Sequence, residues 1–166
     1  MLDQERFLKV NNLKDAFEKS EMSWETLTEI YDDYSKNAYP RMQSLADQLV
    51  IALETGKRKR REEKRIEGTL EEKSDIHVIY GRAKEPEHVI EKIIRKVGVE
   101  DSQKYRDINV GNYKDTITDL IGIRIIVVKK EGWQEAHNLI CALFPDLYEG
   151  TPIAYVCYGD REVIEG

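Results

Sequence analysis

Residues 75–98 read DIHVIYGRAKEPEHVIEKIIRKVG, and the change of rhythm inside them decides the fold. Ile76, Val78 and Tyr80 alternate with Asp75, His77 and Ile79, the period-two pattern of a strand ending at Gly81. Pro86 suits the first turn of a helix, where its missing N–H would have no partner in any case. Val89, Ile90, Ile93, Ile94 and Val97 then fall on one face, with His88, Glu91, Lys92 and Lys96 on the other, and Gly98 ends the segment. Toward the C-terminus, a polar connection over 100–114 leads into Ile117 to Val128, a β-branched run typical of a buried strand. Gly132 and Trp133 open a second helix, with Trp133, Ala136, Ile140, Leu143 and Phe144 facing the core and Pro145 closing it. Ile153 to Tyr158 reads as a third strand, so the order from Asp75 is strand, helix, strand, helix, strand.

Upstream of this block the pattern is helical. Phe7, Val10, Leu13 and Phe17 recur at helical spacing, and Ser23 is placed to cap a run containing Trp24, Leu27, Ile30, Tyr31 and Tyr34. Pro40 begins or kinks the next stretch, where Met42, Leu45, Leu49, Ala52 and Leu53 form a stripe that Gly56 is expected to stop. Residues 57–65, KRKRREEKR, hold the densest positive charge. With Glu62 and Glu63 interleaved they read first as a solvated helical face, and second as a surface for phosphate or RNA. The expected division is a helical N-terminal region over 1–70 and a strand-bearing region over 71–166.

The chain has 166 residues, a formal charge of -6, 40% hydrophobic and 35% charged residues, without repeats or a Gly/Ser linker. This describes a globular chain of about one domain and argues against a dedicated, wholly basic nucleic-acid binder. The most apolar stretch, Leu120 to Val128, is interrupted by Arg124 and is too short to span a bilayer. The N-terminal MLDQERFLKV has no apolar h-region, so a cytoplasmic location is expected, with Cys141 and Cys157 as two reduced thiols. His77 and His137 lack a second ligand at metal spacing and read as ordinary core or surface residues.

Two clusters put polar groups where a scaffold has little use for them. Arg82 and Lys84, about 7 Å apart if the strand continues, stand with Lys92 at a strand-to-helix corner. Cations and helix-start N–H groups there would stabilise a polyphosphate together. Asp119 lies at the mouth of the apolar run, where a lone carboxylate is costly unless paired or bound to a metal, and Arg124 interrupts that run. A guanidinium in that place needs a carboxylate, a phosphate or a flat base. Each cluster alone also fits a structural role, with Asp119 capping or Arg124 pairing with Asp119 or Asp115.

YGRAKEPEHVIEKIIRK over 80–96 followed by DTITDLIGIRIIV over 115–127 resembles the RelA/SpoT alarmone synthetases, whose motifs run GRxK…SxxxK and DLxGIR. The resemblance covers residues 71–166 and implies an α+β fold: a nucleotidyltransferase-like mixed β-sheet flanked by helices. It implies transfer of pyrophosphate from ATP to the 3′-hydroxyl of GDP or GTP, with Mg²⁺ as cofactor. Position by position, Arg82 and Arg124 would sandwich the adenine, Lys84 and Lys92 would hold the ATP phosphates, and Asp119 would bind Mg²⁺ and act in catalysis. His88 stands where the family has Ser, and its imidazole would donate to phosphate instead. No GYxSxH-like loop and no ExQxRT-like strand occurs before Gly166, and the surroundings of Glu162 and Glu165 do not fit the latter. The chain is therefore expected to be the ATP-side part of a synthetase, inactive alone, and without the HD dyad of the family's hydrolase domain. Nucleotides are the implied partners, with no membrane, RNA less favoured, and self-association allowed. Two alternatives stand beside this reading: a toxin-type relative that pyrophosphorylates tRNA, and an inactive module that binds nucleotides or protein partners.

Overall fold

The computed structural model describes residues 2–67 and 74–145. Helices and strands are both present, in two compact units that interleave along the chain: Met1–Ala46 with Arg82–Gly122, and Asp47–Gly81 with Ile123–Gly166.

In the first unit, α1 (Gln4–Val10) and α2 (Lys14–Ser20) are separated by Asn12, whose φ of 53° breaks the helix, so the stripe expected from Phe7 to Phe17 is divided and Val10 is exposed. Helix α3 (Trp24–Asp33) starts at Ser23, whose Oγ accepts the Glu25 N–H at 3.1 Å, the cap expected from the sequence. A π-turn, Tyr34–Ala38, joins α3 to α4 (Tyr39–Ile66), and the Tyr39 N–H donates to the Tyr34 carbonyl five residues back. A proline one turn into a regular helix would clash with the carbonyl four residues earlier, and the widened turn lies immediately before Pro40. Helix α5 (Pro86–Gly98) buries Val89, Ile90, Ile93, Ile94 and Val97, the face its spacing announces. With Leu27, Ile30, Tyr34, Tyr113 and Ile117 these residues form one core. Gly98 ends α5 as expected, and a Cβ there would lie 1.8 Å from the Ala16 carbonyl oxygen, so α2 and α5 touch backbone to backbone. The polar connection contains two short helices, α6 (Gln103–Arg106) and α7 (Tyr113–Thr116).

Helix α4 does not stop at Gly56, contrary to the sequence expectation. Glycine serves close packing there, because a Cβ would meet Leu143 Cδ1 at 2.8 Å. Of its expected stripe Leu53 is buried and Met42 packs against the first core, but Leu45 is exposed and its neighbour Ala46 is buried instead. KRKRREEKR forms the last turns of this helix, half-buried at Lys57 and Arg60 and otherwise exposed, with ion pairs Lys57–Glu54, Lys59–Glu63 and Arg65–Glu62.

Strands β1 (Ile76–Ala83) and β2 (Ile121–Val127) pair in a two-stranded sheet. The Lys84 N–H donates to the Leu120 carbonyl and the Val128 N–H to the Asp75 carbonyl, both at 2.8 Å, so the strands are antiparallel. Between those two bonds β1 advances from 75 to 84 while β2 runs from 128 back to 120, which leaves one extra residue in β1, a β-bulge. Burial shows the same slip: Ile76, Ile79 and Ala83 point inward, whereas Val78 and Tyr80, expected beside Ile76, are exposed. The Ile117–Val128 run is likewise not a strand buried on both faces. Ile123, Ile125 and Val127 pack against Leu53, Ile76, Ile79 and Leu139 in the second core, while Ile126 and Val128 are exposed. Helix α8 (Trp133–Leu143) buries Ala136 and Leu139 with Ile140, Leu143 and Phe144 packed alongside. Glu135 on α8 accepts from Ser74 Oγ at 2.9 Å and the Asp75 N–H at 2.8 Å, fixing the start of β1. The third strand expected at Ile153–Tyr158, and Cys157, lie outside the described residues.

Candidate functional site

The site is built at the turn before β2 and the corner after β1. Ile117 and Leu120 are both buried, and between them the chain turns with Thr118 and Asp119 outward. The Leu120 carbonyl, bonded to the Lys84 N–H, ties that turn to the β1–α5 corner. Lys84 Nζ reaches Asp119 Oδ2 at 2.9 Å, and Lys92 Nζ, from the polar side of α5, reaches Oδ1 at 2.5 Å. Thus both oxygens of one carboxylate are held by two ammoniums that lie 27 and 35 residues away in sequence.

Partial burial works to raise the Asp119 pKa, but the Lys92 and Lys84 ammoniums outweigh it and hold the carboxyl below its ordinary value. Burial of Lys92 opposes its charge, and Asp119 and Tyr105 reverse that, so its pKa is raised. Asp119 and Lys92 therefore stay ionised at neutral pH. Lys84 and Lys92 side chains are only 24% and 21% exposed, whereas Asp119 is 52% exposed, so an incoming group meets the carboxylate first.

The other candidates take separate places. Arg82 is exposed and its side chain has no partner among the described residues. Arg124 Nη1 donates to the Tyr80 hydroxyl at 3.2 Å, with the guanidinium 6.0 Å from that ring's centre, the approach of a cation to an aromatic face. His88 is exposed and its Nδ1 meets Glu91 Oε2 at 2.9 Å, so its ring is engaged within α5 rather than with Asp119. The start of α5 is more acidic than the phosphate-corner reading assumed: Glu85 accepts from the Tyr39 hydroxyl and Glu87 from the Tyr31 hydroxyl, both at 2.9 Å. Sequence reasoning passed over Tyr34, Gln43 and Tyr105. The Tyr34 hydroxyl donates to the Lys84 carbonyl at 2.7 Å, and Gln43 Oε1 accepts the Ala83 N–H at 3.0 Å. The one available signal was the tyrosine run 31, 34, 39 ahead of Pro40.

Among the described residues no three His, Cys, Asp or Glu side chains gather into a metal cage. A magnesium ion carried on a polyphosphate needs only one or two protein carboxylates, the rest of its shell being phosphate oxygen and water. An ionised, half-exposed Asp119 beside two lysines fits that donor set.

Residues 81–150 match the family model described as the region found in RelA / SpoT proteins. The RelA/SpoT match supports a nucleotide pyrophosphokinase family and contains Arg82, Lys84, His88, Lys92, Asp119 and Arg124. No curated protein and no solved structure matches the chain. No helix among the described residues is long and apolar enough to cross a membrane.

Proposed function

We propose that this chain carries the ATP-binding side of a (p)ppGpp synthetase, which transfers pyrophosphate from ATP to the 3′-hydroxyl of GDP or GTP. The observation that supports it best is the Lys84–Asp119–Lys92 triad, two cations and one ionised carboxylate gathered at a partly open surface within the RelA/SpoT region.

In the proposed reaction the acceptor's 3′-oxygen attacks the β-phosphorus of ATP, a new O–P bond forms, and the bond from that phosphorus to the α-bridging oxygen breaks. AMP leaves with the bridging oxygen, and the hydroxyl proton passes to a base. Lys84 and Lys92 release Asp119 and take the triphosphate oxygens, whose charge exceeds that of one carboxylate. Asp119, kept ionised, would hold the magnesium, which when bound would neutralise charge on the transferred group. Arg82 and Arg124 are proposed to stack the adenine, a role suited to flat guanidiniums. His88 would turn from Glu91 to donate to a phosphate.

Titration calorimetry with a non-hydrolysable ATP analogue and Mg²⁺ tests this reading. Lys84→Ala and Lys92→Ala should each weaken binding about tenfold or more, as for a lost charge-assisted hydrogen bond. Lys104→Ala, an exposed cation outside the triad, should leave affinity unchanged. Equal affinity in all three variants would overturn the site.

A further inference from the structure

We propose that Tyr34 is a positioning residue for the phosphate site: its buried hydroxyl fixes the main chain of Lys84 and thereby aims that lysine's ammonium. This rests on the nucleotide reading above and adds a residue which that reading does not contain.

Tyr34 is fully buried, yet its hydroxyl is not used within its own helix. It donates across the core to the Lys84 carbonyl at 2.7 Å, a group that lies past the end of β1 and ahead of α5. That carbonyl stands at the junction where two regular elements meet, and Pro86 two residues on has no N–H to offer. The neighbouring main-chain groups are also tethered. The Lys84 N–H donates to the Leu120 carbonyl, and the Ala83 N–H to Gln43 Oε1 at 3.0 Å. Lys84 thus has both of its own peptide groups fixed, and the side chain that extends from them ends on Asp119. Burial pushes the Tyr34 phenol up to about 12, so it remains a donor throughout the neutral range.

The π-turn supports this arrangement. In a regular α-helix residues five apart are separated by about 140° around the axis. The widened turn begins at Tyr34 and brings its ring to 6.0 Å from that of Tyr39, and the Tyr113 ring also lies 6.0 Å from Tyr34, at 86° to it. Tyr34 and Tyr39 then both serve the corner, one on the Lys84 carbonyl and the other on Glu85. A single π-turn inside a helix is a common device for directing side chains at functional sites.

The test is a double-mutant cycle in calorimetry with the Mg²⁺-bound ATP analogue, using the native chain, Tyr34→Phe, Lys84→Ala and the double variant. Tyr34→Phe keeps the ring in place and should weaken binding about fivefold, the worth of one ordinary hydrogen bond. In the Lys84→Ala background the same change should have no further effect, since the carbonyl remains but the ammonium that its tether aims is already gone. A fivefold loss in both backgrounds would assign Tyr34 to general structure and overturn the proposal. So would native affinity in Tyr34→Phe when Lys84→Ala is weak, with the nucleotide reading left standing. Failure of the native chain to bind, or native affinity in Lys84→Ala, would overturn the nucleotide reading and the proposal with it. A parallel cycle with Gln43→Ala probes the adjacent tether, so that misfolding of one variant still leaves a decisive measurement.

Discussion

Replacing Asp119 by asparagine should have opposite effects on nucleotide binding with and without magnesium. The carboxylate is about half exposed and holds ammoniums at 2.9 and 2.5 Å. Exposed ion pairs contribute about 0–1 kcal/mol each, so freeing both lysines adds at most about 2 kcal/mol to their availability for phosphate. Removing a negative charge from beside the incoming triphosphate acts in the same direction. In EDTA, the Asp119→Asn variant should therefore bind the ATP analogue more tightly, by up to about thirtyfold. With Mg²⁺ present the amide replaces the proposed metal ligand, and binding should weaken by about tenfold or more. Fluorescence anisotropy of a labelled ATP analogue, titrated in both buffers, reads the two affinities. Equal weakening in both would mean that Asp119 is a structural anchor for the lysines and not a metal ligand.

Gly98→Ala should destabilise the chain by about 1–3 kcal/mol despite alanine's better helix propensity, because the new methyl would sit 1.8 Å from the Ala16 carbonyl oxygen; urea unfolding showing no loss would contradict that helix contact. Asp33 accepts from Tyr113, Asn37 and Lys114, and these hydrogen bonds lower its pKa to about 2. A depressed carboxylate stabilises the folded state above its ordinary pKa, and that contribution disappears as pH falls through about 2, so the stability gap between the native chain and Asp33→Asn should close between pH 4 and 2. A gap that stays constant over that range would refute the linkage. Glu135→Ala should cost about 1–3 kcal/mol by stranding the Asp75 N–H and Ser74 hydroxyl, and faster amide exchange at Asp75 and Ile76 is the expected signature.

Helix α5 was legible to the residue, because proline and glycine punctuate it and no irregularity disturbs its period. The Ile117–Val128 run was misread for a physical reason. Gly122 and Arg124 alternate with Ile121, Ile123 and Ile125, but the apolar Ile126 and Val128 continue the wet face, so hydrophobicity over 125–128 cannot tell one covered face from two, and their exposure decides it. Gly56 suggested a helix end, yet its lack of a side chain admits Leu139 and Leu143 to the middle of α4. Asp119 was findable because an acid beside an apolar run demands a partner, and the partners are two of the three cations singled out with it. Tyr34 was not findable in its present role. A tyrosine at core spacing looks like packing, and its acceptor is a backbone carbonyl, which leaves no trace in residue types.

The extra residue in β1 acts on side-chain direction as a frameshift acts on codons. Upstream of it the even-numbered Ile76 faces the interior; downstream the odd-numbered Ile79 and Ala83 do, and Tyr80 and Arg82 emerge into water. Had the strand kept one parity from Ile76 onward, those two side chains would have been turned toward hydrocarbon. Excising a residue near His77 would thus preserve almost the whole composition of the strand while exchanging its wet and dry sides, so the length of this segment is under tighter physical constraint than the identity of most residues in it.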